Sequence, residues 1–281
     1  MNNLKNLLFG FLLVSSVSCA GDKDYVITIE TRHGNIVALL FDDTPEHKSN
    51  FIALAEAGRF DSTEFHRIIK GFMVQAGDVF TKEELPAEKW PTLPSEIRPN
   101  HIHRKGMIAA ARQGDGINPE RRSNASQFYI VQGKVYNELE LTTDMVALQE
   151  AFMRYVQIKS QQDLRNEYSR LYEAGELDSL TSLLVSKRDE IAESLSLKLT
   201  KDYTPDQIEA YTTLGGTPHL DREYTVFGEV IHGLEVVEKI SAEPTGPREI
   251  PLIPIYMNVK VEKMSKKKIA KEYGYSYPDA K

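Results

Sequence analysis

The chain has 281 residues, a formal net charge of −7 and 41% hydrophobic residues. That length suits one large domain, or one domain carrying an insertion, with enough apolar material for a sizeable core. No long basic stripe is present, which argues against a nucleic-acid partner, and the one cysteine has no second cysteine with which to form an internal disulfide.

The first segment reads as a targeting peptide, residues 1–18. Lys5 supplies a short positive region, and residues 7–14 form an apolar run too short to span a bilayer. Ser15, Ser16, Val17 and Ser18 then lead into Cys19. The placement of Cys19 resembles the acylated cysteine of bacterial lipoproteins, although Ser16 stands where that group usually has leucine. The resemblance implies lipidation at Cys19 and an extracytoplasmic protein, in the periplasm or at the outer membrane, anchored without crossing the bilayer. The plainer alternative is a secretory signal with an incidental cysteine. Residues 19–24 read as a polar tether.

Regular structure is expected from Tyr25. Residues 25–31 and 35–41 read as two strands, with His33 and Gly34 between them for a tight turn. Thr44 and Pro45 open a helix, Thr44 as its cap and Pro45 at the first helical position. Phe51, Leu54 and Ala55 give that helix an apolar face, and Gly58 stops it. Short strands follow at 64–68, 73–76, 106–111 and 127–131, the texture of an all-β barrel or sandwich. From about Thr143 to Tyr211 the chain changes to helical spacing. Leu148, Phe152 and Tyr155 share a face, Leu164, Tyr168 and Leu171 another, and residues 177–195 mark a further helix after Gly175. Thr204 and Gln207 form a capping box for a last helix, which Gly215 and Gly216 end. Strand texture returns at 224–230, a helix at 233–240 and a closing strand at 255–263. The stretch 134–214 therefore reads as an insertion in a β domain spanning 25–265, with 266–281 as a polar tail.

No phosphate-binding glycine loop and no nucleophile elbow occurs. His101 and His103 could share a strand face, but two histidines are weak grounds for a metal site, and none is assigned. Arg67 stands out as a cation inside an apolar run that must be either paired or used.

Residues 65–78, Phe-His-Arg-Ile-Ile-Lys-Gly-Phe-Met-Val-Gln-Ala-Gly-Asp, resemble the signature of the cyclophilins, and the departures elsewhere look like the bacterial branch of that family. Two further blocks agree: Gly106-Met-Ile-Ala-Ala-Ala-Arg followed by Ser126-Gln-Phe-Tyr-Ile, and His219-Leu-Asp followed by Tyr224-Thr-Val-Phe-Gly. The resemblance implies a mainly β fold, a closed antiparallel eight-stranded barrel capped by two helices, with the α-helical insertion lying outside it. It implies a peptidyl-prolyl cis-trans isomerase without a cofactor, acting on proline-containing polypeptides. Carried over position by position, Arg67 and Gln75 become catalytic, Arg67 beside the twisted amide and Gln75 orienting it. Phe72, Met73, Ala111, Arg112, Gln127, Tyr129, His219, Leu220 and Tyr224 become substrate-binding, with Ala111 offering backbone groups to the peptide. The family often has asparagine at Arg112, tryptophan at His219, histidine at Tyr224 and phenylalanine at Tyr129. The competing reading is a non-catalytic peptide-binding or chaperone module acting through the insertion, which also offers a surface for dimerisation. Oligomeric state and clients are not specified by the sequence.

Overall fold

A computed structural model describes residues 23–277. The expected signal peptide and Cys19 lie outside the described residues. Strand β1 (Lys23–Thr31) starts two residues before the expected position, so Lys23 and Asp24, expected in the tether, belong to the strand. Asp24 is buried and receives the Lys48 ammonium at 2.9 Å. A turn at Arg32 and His33 leads to β2 (Gly34–Leu40), with Thr31 opposite Gly34.

Helix α1 (Pro45–Glu56) places Pro45 in its first turn, but Thr44 makes no side-chain cap bond. The Thr44 hydroxyl donates to Phe41 O at 3.2 Å instead, and the Glu96 carboxylate accepts from the N–H groups of Glu46 and His47 at 3.2 and 3.0 Å. A carboxylate distant in sequence thus meets the orphan donors and the positive end of the helix.

The strand expected at 64–68 is broken into β3 (Thr63–Glu64) and β4 (Arg67–Ile69). Then come β5 (Met73–Ala76), the single-turn α2 (Val79–Lys82), β6 (Thr92–Leu93), β7 (Met107–Ala110), β8 (Ser123–Asn124) and β9 (Phe128–Val131). The helical stretch holds α3 (Glu138–Leu141), α4 (Met145–Tyr155), α5 (Gln162–Glu173), α6 (Leu177–Ser186), α7 (Arg188–Leu195) and α8 (Pro205–Thr213). Strand β10 (Val226–His232), α9 (Leu234–Ser241), β11 (Tyr256–Ser265) and α10 (Lys266–Tyr273) complete the chain.

Nine strands form one antiparallel sheet in the order β3-β11-β1-β2-β10-β7-β9-β5-β4, and β6 pairs with β8 apart from it. The edge strands β3 and β4 are separated in the chain only by Phe65 and His66, so the sheet must curl until its edges nearly meet. No ladder joins β3 to β4 among the described residues. The eight strands expected of a closed barrel are therefore nine in a strongly curled sheet, because the run 63–69 turns between its two pairings.

Alternation sorts the side chains. Ile27, Ile29, Ile36, Ala38, Leu40, Ile68, Val74, Ala76, Ile108, Ala110, Phe128 and Ile130 point inward and share the main core with Phe51 and Leu54 of α1 and Val236, Val237 and Ile240 of α9. Each fully buried large apolar side chain here contributes about 2–3 kcal/mol through area removed from water. The outer face of β1 and β2 is also covered. Val26, Val37 and Leu39 meet Met264 and the fully buried Ile269 of α10. The expected polar tail is thus partly a helix, capped by Ser265, whose hydroxyl accepts from Lys268 N at 3.2 Å.

The helical stretch expected as an insertion builds its own core from Leu148, Phe152, Tyr155, Leu184, Ile191 and Leu199. Its two ends meet: Lys134 and Gly216 exchange backbone hydrogen bonds of 3.3 and 3.0 Å, and Gly216 also bridges Arg104.

Candidate active site

The same alternation that sends Ile68, Val74 and Ile130 into the core turns their neighbours Arg67, Met73, Gln75 and Tyr129 to the outer face. Register then aligns them across strands: Arg67 stands opposite Gln75, and Gln75 opposite Tyr129. Ala109 completes the row beside Tyr129. These residues floor a groove of about 240 Å³, lined by Arg67, Phe72, Met73, Gln75, Ala111, Arg112, Tyr129, Leu220 and Tyr224. Nine of the expected residues are thus brought together by a fold that returns to the groove after the whole insertion. A second cavity of about 410 Å³ adjoins it through Gln75, Ala111 and Arg112, and takes in Gln127 and Trp90.

Arg67 is not locked in a buried ion pair. Its side chain is 42% exposed, and its Nε lies 3.5 Å from the Glu249 carboxylate, itself 48% exposed. Gln75 does not hold Arg67 as expected: its Nε2 donates to Gln127 Oε1 at 3.1 Å. The group nearest the guanidinium is Glu249, which the sequence reading missed. Nothing in the sequence run around Glu249 signals a groove residue, because its position follows from the loop between α9 and β11.

The apolar end is formed by Met73, Tyr129 and Val226, with Phe72, Leu220 and Tyr224 packed on them half-buried. Tyr224 meets Tyr129 edge to face at 5.9 Å. His219 stacks on Phe72 at 5.4 Å, which places it at the outer wall and not in the groove floor. Partial burial, then the neighbouring His103, lowers its pKa below 6.5, so the ring is neutral at pH values near 7.

Two expectations are corrected. The Ala111 backbone is engaged within the protein, its N–H donating to Gln127 O at 2.9 Å and its carbonyl accepting from Asn124 N at 2.8 Å. It bounds the groove without a free N–H to offer. The Arg112 side chain is only 5% exposed, pairs with Asp115 and Glu223, and lies over the Tyr224 ring at 4.6 Å. It supports the wall and does not project toward a ligand.

His101 and His103 part company. His101 pairs with Asp43 at 2.7 Å and stacks on Phe41. His103 is fully buried behind the groove, between Asp221 and Tyr129. No group of three or more metal-binding side chains converges among the described residues. The placement of His103 and Asp221 behind the groove was not expected. The signal was present in the tyrosine at position 129, since a buried hydroxyl requires a partner that phenylalanine does not.

The profile of the cyclophilin type peptidyl-prolyl cis-trans isomerase/CLD family matches residues 26–148 and 184–261. A peptidyl-prolyl cis-trans isomerase of Arabidopsis thaliana is 26% identical over 235 residues, 83% of this chain and 92% of that protein. The crystal structure of a Cryptosporidium parvum cyclophilin type peptidyl-prolyl cis-trans isomerase aligns with a TM-score of 0.50 at 18% identity, covering 85% of this chain and 98% of that one, a likeness of fold. The unmatched residues 149–183 fall within the helical stretch, and the matched ones carry the curled sheet and its groove. The chain belongs to the cyclophilin-type peptidyl-prolyl cis-trans isomerase family.

Proposed function

We propose that this isomerase binds proline-containing segments of exported proteins in the groove beside Arg67, and that Arg67 stabilises the twisted amide. Rotation about an Xaa-Pro bond meets a barrier of about 20 kcal/mol and takes tens of seconds or longer unaided. No bond forms or breaks, so catalysis requires only that the twisted amide be bound better than either planar isomer. Twisting ends the resonance and leaves a lone pair on the proline nitrogen. A fixed, always-charged donor beside that nitrogen gains energy chiefly at that point. The proline ring occupies the slot of Phe72, Met73, Tyr129 and Leu220 while the acyl side turns. Gln75, held by Gln127, meets the substrate backbone, and His219 and Tyr224 border the adjacent residues.

One observation carries the reading: Arg67 is half exposed and lines the same groove as the apolar slot. The test is the cis-to-trans rate of an Ala-Pro peptide with wild type, Arg67→Ala and Arg67→Lys. We expect kcat/KM to fall by about 10²–10³-fold in Arg67→Ala, with Arg67→Lys between. Equal rates would remove Arg67 from the mechanism. Export and anchoring rest on the sequence before the described residues. They are tested by fractionating cells that express wild type or Cys19→Ala, with release of the variant from membranes expected.

A second reading, client binding by the insertion, is favoured by one observation. Val146, Tyr172 and Leu177 of the insertion are 70%, 64% and 64% exposed. Replacing all three by serine should lower suppression of client aggregation while isomerisation of a short peptide is unchanged. Unaltered suppression removes this reading.

A further inference from the structure

Tyr129 carries a hydroxyl into a groove wall where only 5% of the residue is exposed. A hydroxyl so placed is costly unless it is bonded. Its bond begins a buried chain. The Tyr129 oxygen lies 3.0 Å from Nε2 of His103, and His103 Nδ1 lies 3.1 Å from the Asp221 carboxylate. Asp221 also accepts from His103 N at 2.7 Å and from the Tyr211 hydroxyl at 2.7–2.8 Å. Tyr211 is fully buried and comes from α8, the last helix of the insertion.

The directions follow from chemistry. An ionised carboxylate only accepts, so a neutral His103 ring carries its one proton on Nδ1 and presents a bare Nε2. Tyr129 must then be the donor to His103, and its O–H points away from the groove. Burial, then the Asp221 charge, keeps the Tyr211 hydroxyl protonated and thus a donor. The base of the insertion is fixed independently. Tyr136 N donates to Tyr211 O at 3.1 Å, Thr217 N to His103 O at 2.9 Å and Lys105 N to Gly215 O at 2.9 Å.

We propose that Tyr211 and Asp221 are positioning residues for isomerisation. Acting through His103, they fix the Tyr129 ring and turn its hydroxyl out of the proline slot, so that a helix of the insertion sets the apolar character of the groove wall. This rests on the groove being the site of isomerisation. Without the Tyr211 donor, Asp221 holds His103 less firmly, and the Tyr129 hydroxyl is freed toward bound proline.

The test is a double-mutant cycle on kcat/KM for an Ala-Pro peptide, with Arg67→Ala measured alongside. Tyr211→Phe should reduce kcat/KM about three- to tenfold in the wild-type background. It should have no further effect in Tyr129→Phe, which has no hydroxyl to direct. A merely structural role for Tyr211 predicts equal losses in both backgrounds, and that result, or no loss in wild type, overturns the proposal. If Arg67→Ala is also without effect, it is the groove reading that has failed. Nitrogen NMR of His103 gives a readout independent of activity and of how well the variants fold. A protonated Nδ1 and bare Nε2 are expected in wild type, and the reverse tautomer overturns the proposal.

Discussion

Arg67 and Glu249 face each other at 3.5 Å, and both are nearly half exposed. Glu249 and its neighbour Arg248 hold left-handed backbone angles, with φ of 56° and 61°. Such a conformation costs a non-glycine residue about 1 kcal/mol or more, and it persists only where the surroundings impose it. Here it presents a carboxylate to the cation proposed to meet the substrate. An exposed pair of this kind is worth less than about 1 kcal/mol, so the substrate can displace it. Glu249→Gln should therefore raise kcat/KM about twofold for neutral peptides, with a larger gain for peptides bearing glutamate beside the proline. A peptide series differing only in that flanking residue measures it, and an unchanged preference would detach Glu249 from the groove. Two histidines set a different property. Burial lowers the pKa of His47 and of His66 below 6.5. As pH falls through that value the unfolded chain takes up protons that the folded chain resists, so the unfolded state binds more protons and stability drops. Above about pH 7.5 both rings are neutral in both states and contribute no slope. Urea midpoints should be flat there and decline below about pH 6.5, and His47→Gln should lessen the decline.

The junction of the insertion depends on close backbone approach. A Cβ on Gly216 would lie 2.3 Å from His103 O and 2.6 Å from the Tyr211 ring, and one on Gly133 would lie 2.3 Å from Gly216 Cα. Gly216→Ala should cost at least about 2 kcal/mol in urea unfolding, far more than Gly114→Ala in an open loop, where an added methyl meets nothing. The sequence announces Gly216, with Gly215, as a helix stop, but not that three backbone segments cross there, because crossing is a property of the assembled fold. Local chemistry was legible where it is self-contained. The capping box of α8 forms both of its bonds, Gln207 N to Thr204 Oγ1 at 3.3 Å and Thr204 N to Gln207 Oε1 at 2.9 Å. Thr44 of α1 fails as a cap because a distant carboxylate outcompetes it. The helix expected over 177–195 breaks at Lys187 into α6 and α7, since Leu184 and Ile191 both have to reach one small core. Helix α10 was missed because its apolar contribution is essentially Ile269 against a surface made by strands at the other end of the chain. In the groove, the family blocks named the lining residues, and the period of two explains why those on the strands share one face. Glu249, Asp221 and Tyr211 entered through packing between segments that no local pattern connects.

The molecule is a curled sheet with a helical body attached through a narrow neck, and each part has its own apolar core. Replacing residues 135–215 by a two-residue turn should leave the sheet folded, with its far-ultraviolet strand signal retained and its helical signal reduced to that of α1, α2, α9 and α10. Its kcat/KM should fall to the level of Tyr211→Phe, because the same donor has been removed. A truncated protein as active as wild type would show that the helical body contributes nothing to the groove. The paired ends of that body have a consequence for the order of folding. Strand β10 must find β2 and β7 across it. With the helices unformed, the intervening chain from Lys134 to Gly216 is a loop of about 80 residues. If the helices fold first and bring Lys134 and Gly216 together, the effective loop shrinks to a few residues and the closure entropy falls by about 3 kcal/mol. The helical body then serves as a splint, delivering the last strands of the sheet to partners made long before them in synthesis.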